Sequence, residues 1–546
     1  MTKLQKMQPS EHSSLTQVLF GHSSPTPISG SDMDVKKIKW RDLSLNDSQK
    51  EAVAFALASR EVALIHGPPG TGKTHTLIEL ILQLVSHNKR LLVCGPSNIS
   101  VDNIVERLAP NKIPIVRLGH PARLLPSVLN HSLEVLTKTS DASAIVTDIR
   151  AEMDAKQASI RKTRNGRERR AIYGEMKDLR KEYRQREARV VGDLLKGSKV
   201  VLSTLHGAGG FHLKNERFDV VLVDEASQAL EAQCWIPVLN SSAEKLVLAG
   251  DHLQLPPTIK SLNTKDLKPP KPGKTANSHT KDAKGAEGAT KGVEKLDLDD
   301  QPKAEKKPTI NSKNSEEDTA TTLSTTLFDR LLTLHGSKIK RMLTTQYRMH
   351  EVIMTYPSTA LYENKLLAAD SVKARLLTGL PYPPTTPVQE TEDTREPLIF
   401  YDTQGGDFPE KADDNDDEPA STPKPRSKSS LLAESKSNAH EAAVVLKHLT
   451  SLTAGGVHAE DIAVITPYNG QLALLSGLLK ERFVGLELGS VDGFQGREKE
   501  VVVVSLVRSN GEGEVGFLGE SRRLNVAMTR ARRQLVVVGD GETVGK

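Results

Sequence analysis

Val62-Ala-Leu-Ile-His-Gly-Pro-Pro-Gly-Thr-Gly-Lys-Thr74 reads as a short apolar strand running into a Gly/Pro-rich loop. The next stretch, Thr76-Leu-Ile-Glu-Leu-Ile-Leu-Gln-Leu-Val85, is apolar at helical spacing. Gly67, Gly72, Lys73 and Thr74 fit G-x-x-x-x-G-K-[ST], the loop that cradles a nucleoside triphosphate. Glycines let the backbone turn its N–H groups toward phosphate oxygens, at a helix N-terminus whose dipole already favours anions. In this reading Gly67, Pro68, Pro69, Gly70, Thr71 and Gly72 form the cradle. Lys73 reaches the β- and γ-phosphates of the nucleotide, and the Thr74 hydroxyl goes to Mg²⁺.

Outward from this loop the chain alternates buried strands with helices, the pattern of an α/β fold with a parallel sheet. Arg90-Leu-Leu-Val-Cys94 leads to Pro96, Ser97 and Asn98 at a strand's C-terminal end, where open α/β sheets bind ligands. Those three suit phosphate contacts or simple helix capping. Ser198–His206 is a strand ending in hydroxyls, and Phe218–Gln228 delivers Asp224 and Glu225 to another strand end. Paired acids there fit Mg²⁺ binding by Asp224 and activation of the attacking water by Glu225. Lys245–Pro257 is a further strand, ending in Gly250, Asp251 and Gln254, and Gln254 is placed to contact the γ-phosphate. Upstream, Gln49 sits in a helix just before the loop, where a carboxamide suits both edges of adenine, or is a solvated helix residue.

Composition bounds the rest. With 546 residues there is room for two or three domains plus linkers. Apolar content of 37% and aromatic content of 4% are low for a fully packed chain, so some segments are expected to be disordered. A net charge of +5 only weakly indicates a polyanionic partner. Cys94 and Cys234 build no metal or disulfide pattern and point to a reducing compartment, nucleus or cytoplasm. No apolar run is long enough to span a bilayer and no secretory signal is visible, so no membrane partner is expected.

The expected domains are a tail over 1–43, a first sheet domain over 44–128 and 193–261, and a helical insertion over 129–192. The insertion carries thirteen Lys/Arg against five Asp/Glu between Lys156 and Arg189, a basic face that is either solvated or turned to nucleic acid. Disordered segments are expected at 262–322 and 411–437. A second sheet domain is expected over 323–410 and 438–546. It lacks a phosphate loop but places Arg348, Arg497, Arg522, Arg523, Arg530 and Arg532 in loops. A sheet of that kind is expected to close over a nucleotide held by the first, one or two of its guanidiniums neutralising transition-state charge, the others, Arg522 and Arg532 among them, being surface arginines or salt bridges.

Across about 45–540 the chain resembles the superfamily 1B helicases, in the branch of the nonsense-mediated-decay and immunoglobulin mu-binding-protein helicases. The match runs through Leu45-Asn-Asp-Ser-Gln49, Gly67–Thr74, Gly95-Pro-Ser-Asn98, Asp224-Glu-Ala-Ser-Gln228 and Gly250-Asp-His-Leu-Gln-Leu-Pro-Pro257. It continues through Gln346-Tyr-Arg-Met-His350, Val491–Lys499 and Arg522–Arg532. The resemblance implies two RecA-like domains with ATP and Mg²⁺ between them and a single DNA or RNA strand across their top, moved 5′-to-3′. It implies that Gln49 reads adenine, Tyr347 stacks on it, Glu498 touches the ribose, and Arg348 and Arg530 are arginine fingers. It further implies that Pro96, Ser97, Asn98, Ser203, Thr204, Thr466, Pro467 and Tyr468 line the strand's path. Relatives carry a small β-barrel and helical stalk ahead of the first core domain, of which Leu15–His22 is expected to be a remnant. That departure leaves two other readings: a nucleic-acid-binding regulatory ATPase that uses ATP as a clamp, or a truncated inactive product. A monomer is expected, with replication, ribosome or RNA-processing proteins as partners; the motifs do not choose DNA over RNA.

Overall fold

Strand Val62–His66 (β1) is buried along its whole length and lies one strand in from an edge of the first sheet. The computed structural model describes residues 2–29, 33–139, 143–162, 165–258, 323–411 and 435–545. The segment expected to be disordered at 262–322, and residues 412–434 of the second one, lie outside the described residues. Met1–Thr258 and Leu323–Lys546 form one compact unit that carries both sheets.

The first sheet takes in β1, Leu91–Gly95 (β2), Ile115–Leu118 (β3), Val200–Thr204 (β4), Val220–Val223 (β5), Lys245–Gly250 (β6) and Lys340–Met342 (β7). All pair in parallel, in the order β3-β4-β2-β5-β6-β1-β7. Successive strand side chains point to opposite faces, so a sheet covered by helices on both sides needs apolar residues at every position. Leu64, Leu92 and Cys94 accordingly enter one core, while Ala63, Ile65 and Val93 enter the other. On the second face, Leu77, Leu80, Ile81 and Leu84 of helix Lys73–Ser86 supply the covering layer.

After the short pair Thr345–Gln346 (β8) and Leu367–Ala368 (β9), the second sheet consists of five strands. These are Leu398–Asp402 (β10), Ile462–Thr466 (β11), Glu487–Ser490 (β12), Lys499–Ser505 (β13) and Ala531–Gly539 (β14). They run parallel in the order β10-β14-β13-β11-β12. The α/β class and the two parallel sheets are therefore as the sequence indicates.

Two expected boundaries move. The second domain is expected from 323, but helix Leu327–His335 buries Leu327, Phe328 and Leu331 in the first sheet's core, and β7 extends that sheet beside β1. A three-residue strand bearing Lys and Arg carries no apolar signature, so only its pairing reveals it. The stretch read as a tail is also part of the first domain. Helix Ser14–Phe20 buries Leu15, Val18 and Leu19, and Phe20 stacks on Trp235 with ring centroids 4.9 Å apart. Buried Glu61 anchors both this helix and the segment after it, accepting from the Ser14 hydroxyl (2.9 Å) and from the Thr26 hydroxyl and amide (2.7 and 3.0 Å).

The insertion is helical, with helices Leu133–Thr139, Ser143–Lys162 and Gly166–Gly197. Arg90 ties its end to the sheet, donating to the carbonyls of Leu195 (2.6 Å) and Ser198 (3.2 Å) and to Glu216 (2.6 Å).

Candidate nucleotide and strand sites

The phosphate loop joins β1 to helix Lys73–Ser86, with Gly70 and Gly72 both at a φ of +74°. That conformation strains any residue with a Cβ. There is no room for one either: a Cβ at Gly70 would lie 2.6 Å from Arg348 Cβ, and one at Gly72 would lie 2.5 Å from Gln49 Nε2. The loop's tightness therefore serves two contacts, one to the second domain and one to the helix before it.

At the loop's end the Lys73 ammonium lies 3.0 Å from Asp224 Oδ1 and 2.5 Å from Glu225 Oε1. Burial works against this cation, but the two carboxylates outweigh it and push its pKa up. Burial likewise pushes the Asp224 carboxyl up, with Lys73 offsetting part of that. Glu225 adopts a left-handed backbone conformation, φ +52°, and accepts from Gln228 Nε2 at 2.8 Å. A strained backbone at an acid beside a phosphate loop is where strain is expected to serve function. Two acids that hold a cation at a strand end have the donor set a divalent metal needs. Thr74, the second residue of the helix, lies at the same cleft.

The second domain supplies the opposite wall. Arg348 is held by Glu498 and donates to the Thr529 carbonyl at 3.0 Å. Arg530, 2% exposed, donates to the carbonyls of Val526 (2.9 Å) and Arg497 (3.2 Å) and to Gln254 Oε1 (3.3 Å). Burial pulls both guanidiniums below the usual arginine range. Glu498 is lowered too, but against its burial, because Arg348 and Arg532 hold its carboxylate in the charged form. The cleft between these walls measures about 840 Å³ and is lined by Gly67–His75, Glu225, Gln254, Arg348, Glu498 and Arg530 among others.

Of the three residues expected at the base and ribose, Tyr347 and Glu498 line the cleft and Gln49 is buried behind the phosphate loop. Gln49 Oε1 accepts from the Asn46 amide and its Nε2 donates to the Thr71 carbonyl, both at 3.0 Å. The carboxamide thereby joins the helix cap to the phosphate loop. Tyr347 is 41% exposed, its hydroxyl accepting from Asn46 Nδ2 (2.9 Å) and its amide donating to the Gly70 carbonyl (2.8 Å). Glu498 takes Arg348 on one oxygen and Arg532 on the other.

The residues expected along a nucleic-acid strand divide. Pro96, Ser97, Asn98, Thr204 and Pro467 reach the surface at the ends of β2, β4 and β11. Ser97 caps helix Asn98–Leu108 and Asn98 Oδ1 accepts from buried Arg117 (3.0 Å), so capping and surface presentation coexist. Ser203, Thr466 and Tyr468 are buried at 0%, 0% and 5% exposure. Ser203 and Thr466 are the inward members of strand ends that the next residue carries outward, so their side chains do not face a strand. A cleft of about 1330 Å³ lies beside Asn98 and Thr204, with Phe211 and the insertion's Lys138, Arg150 and Arg184 also in its lining. Phe211 is 85% exposed, a position that sequence reasoning passes over because a lone loop aromatic carries no pattern.

The sequence assigns no role to Asp251, named there only as a strand-end residue, or to His66, Tyr362 and Asn525. Asp251 stands at a strand end like Asp224, the one signal that points to it; the others become polar partners only through the tertiary fold. His66, Asp251 and His252 bring ligand atoms within 4.8 Å of one another. Asp251 is, however, already saturated by hydrogen bonds from protein groups.

Two parallel sheets, a phosphate loop with its acid pair on one and arginines on the other, define a two-domain P-loop ATPase of the superfamily 1 helicase class. Profiles described as "AAA domain" match residues 44–262 and 323–542. The chain is 44% identical over its whole length to "DNA polymerase alpha-associated DNA helicase A" of Schizosaccharomyces pombe, covering 70% of that protein. The Saccharomyces cerevisiae protein of the same name is 40% identical, with 100% of this chain and 71% of the relative covered. "DNA-binding protein SMUBP-2" of Mesocricetus auratus is 43% identical over 99% of this chain, which spans 47% of that relative. The chain belongs to this superfamily 1B helicase family and is an ATP-hydrolysing enzyme.

Proposed function

We propose that the chain is an ATP-dependent 5′-to-3′ helicase or translocase acting on single-stranded DNA, RNA or both. One observation carries this reading: Lys73, with Asp224 buried against it, and Glu225 of the first domain face Arg348 and Arg530 of the second across a single cleft. Hydrolysis in such a cleft depends on how closely the two domains approach, and that dependence is what turns chemistry into movement.

Lys73 would exchange its two carboxylates for the β- and γ-phosphates of ATP. Thr74 and Asp224 would then hold Mg²⁺, which would supply positive charge against the phosphates. Glu225, steadied by Gln228, takes a proton from the attacking water. Arg348 and Arg530 neutralise charge developing on the transferred phosphoryl group, and Gln254 contacts the γ-phosphate. Each group of the Gln49 carboxamide spends one hydrogen bond on protein, leaving an N–H and a lone pair for adenine. The exposed ring of Tyr347 offers a stacking face, and Glu498 has lone pairs left for the ribose.

Pro96, Ser97, Asn98, Thr204 and Pro467 line the strand's path in this reading, with Ser203, Thr466 and Tyr468 supporting them from beneath. The large cleft, lined by Phe211 and by Arg123, Lys138, Arg150 and Arg184 against Glu134, Glu187 and Glu216, supports a nucleic-acid role for the insertion, since an aromatic platform beside cations binds strands without reading sequence. No described helix is long and apolar enough to cross a membrane, and nucleus or cytoplasm is the proposed location. A monomer would suffice, because both walls of the cleft come from one chain.

The test is ATP turnover by the purified chain, alone and with single-stranded DNA or RNA, beside Glu225→Gln. Strong stimulation by a strand, absent in the variant, is expected. Turnover indifferent to every strand would overturn the proposal.

A further inference from the structure

Behind the nucleotide cleft, a buried polar chain joins the two domains. Asp251 comes directly after β6 and is 3% exposed. One of its oxygens accepts from His66 Nε2 (2.9 Å) and the Leu253 amide (3.1 Å). The other accepts from Gln254 Nε2 and the Tyr362 hydroxyl, both at 2.7 Å. Tyr362 comes from the second domain, just past helix Glu351–Leu361, and is 1% exposed. Its oxygen in turn accepts from Asn525 Nδ2 at 2.8 Å, and the same amide nitrogen donates to the Leu253 carbonyl at 2.8 Å.

Chemistry fixes the orientation of Gln254 within this chain. A carboxylate only accepts and a guanidinium only donates. Gln254, caught between Asp251 and Arg530, must turn its amide nitrogen to the first and its oxygen to the second. One N–H of Gln254 is then left for a phosphate oxygen. The direction of that N–H depends on Asp251, and one of the donors that hold Asp251 belongs to the other domain.

We propose that Tyr362 is a positioning residue for ATP hydrolysis. Its hydroxyl reaches Asp251 only when the second domain lies against the first, and the carboxylate so held aims Gln254 at the γ-phosphate. Domain closure is thus reported to the nucleotide by a phenol that does not touch it. The inference rests on the contact between Gln254 and the γ-phosphate in the proposed function.

The test compares Tyr362→Phe with wild type in the full chain. ATP turnover is followed against ATP concentration, with and without oligo(dT), together with binding of a non-hydrolysable ATP analogue and Tm. The expected result is a fall in kcat of about tenfold in both conditions, the scale typical of outer-shell partners, with KM and analogue affinity within about twofold of wild type. An unchanged kcat, or a KM that rises in step with a lower Tm, would overturn the proposal. Absence of strand stimulation in wild type counts against the helicase reading alone, because the latch is read from the ratio of two kcat values. Asn525→Ala frees the same phenol from its other side. If Tyr362→Phe does not fold, a kcat loss at constant KM in Asn525→Ala supports the latch, and an unchanged kcat overturns it.

Discussion

Lys73 and Asp224 are partners in the free enzyme: the ammonium lies 3.0 Å from Oδ1, and Glu225 closes on it from the other side at 2.5 Å. The loop's cation thus occupies the place a divalent metal would neutralise, and binding ATP must separate the pair. Lys73→Ala leaves buried Asp224 and half-buried Glu225 side by side without a counter-charge, a costly arrangement for the buried acid. We expect turnover to be lost. We also expect the variant's Tm to respond more to added MgCl₂ than wild type does, since Mg²⁺ can replace the missing cation. Thermal-shift titrations of both proteins with MgCl₂ check this, and equal responses would refute it.

Arg348, a finger in the proposed function, would not act by charge alone. Its guanidinium spans Glu498 and the Thr529 carbonyl, two acceptors in different directions. A lysine ammonium is a point charge and cannot hold both in that fork. Arg348→Lys should therefore fall close to Arg348→Ala, each losing roughly 10²–10³ in kcat, the scale of losing one transition-state donor. Analogue binding should change far less than kcat. Near-wild-type turnover by the lysine variant would show that charge, not shape, is what counts here.

The segment before the first sheet should be part of the stability of the whole. Leu15, Val18 and Leu19 are no more than 1% exposed, and Arg330 and His335 each reach a backbone carbonyl of their helix at 2.9 Å. Burying three such side chains is worth about 1.5–3 kcal/mol each before entropy is charged. Deleting residues 2–23 should lower the urea midpoint clearly. The double variant Leu15→Ala/Leu19→Ala should destabilise by about 4–10 kcal/mol if the two changes add. Equilibrium urea unfolding monitored by Trp235 fluorescence reads this directly, since Phe20 stacks on that ring.

What was legible in the sequence had a local physical signature. The phosphate loop is a run of glycines ahead of Lys73, and the acid pair comes after four apolar residues, so both could be placed from order alone. The strands β1, β2, β4, β5 and β6 were visible for the same reason: continuous burial leaves a continuous apolar run. What escaped was either too short or decided by distant partners. β7 has three half-buried residues, two of them cationic. The helix at Ser14–Phe20 has four buried residues within a polar surrounding, below the length at which periodicity is convincing. Burial of Ser203, Thr466 and Tyr468 is set by neighbouring strands and loops, so hydroxyls at strand ends pass for surface contacts in the sequence. The Tyr362–Asp251 contact joins residues 111 positions apart, a pairing no local rule anticipates.

Glu441 should give the second domain a pH-dependent stability. It is fully buried on helix Ala439–Ala454, one oxygen accepting from the Ser505 hydroxyl (2.7 Å) and the Val507 amide (2.9 Å), the other unpartnered. Burial pushes its carboxyl up to about 7, the two donors opposing it. The folded protein therefore holds this proton more tightly than the unfolded chain, whose glutamate titrates near its ordinary 4.5. Glu441's contribution is accordingly fully present below pH 4.5 and is lost as pH rises through about 7. The change across that window is on the order of 3 kcal/mol. Glu441→Gln cannot ionise, so the difference in unfolding free energy between wild type and this variant should shift in favour of the variant by that order as pH rises from about 4.5 to about 8. Urea unfolding of both proteins at half-unit pH steps measures the difference, and a difference flat across the range would mean that Glu441 is ionised, and well solvated, throughout.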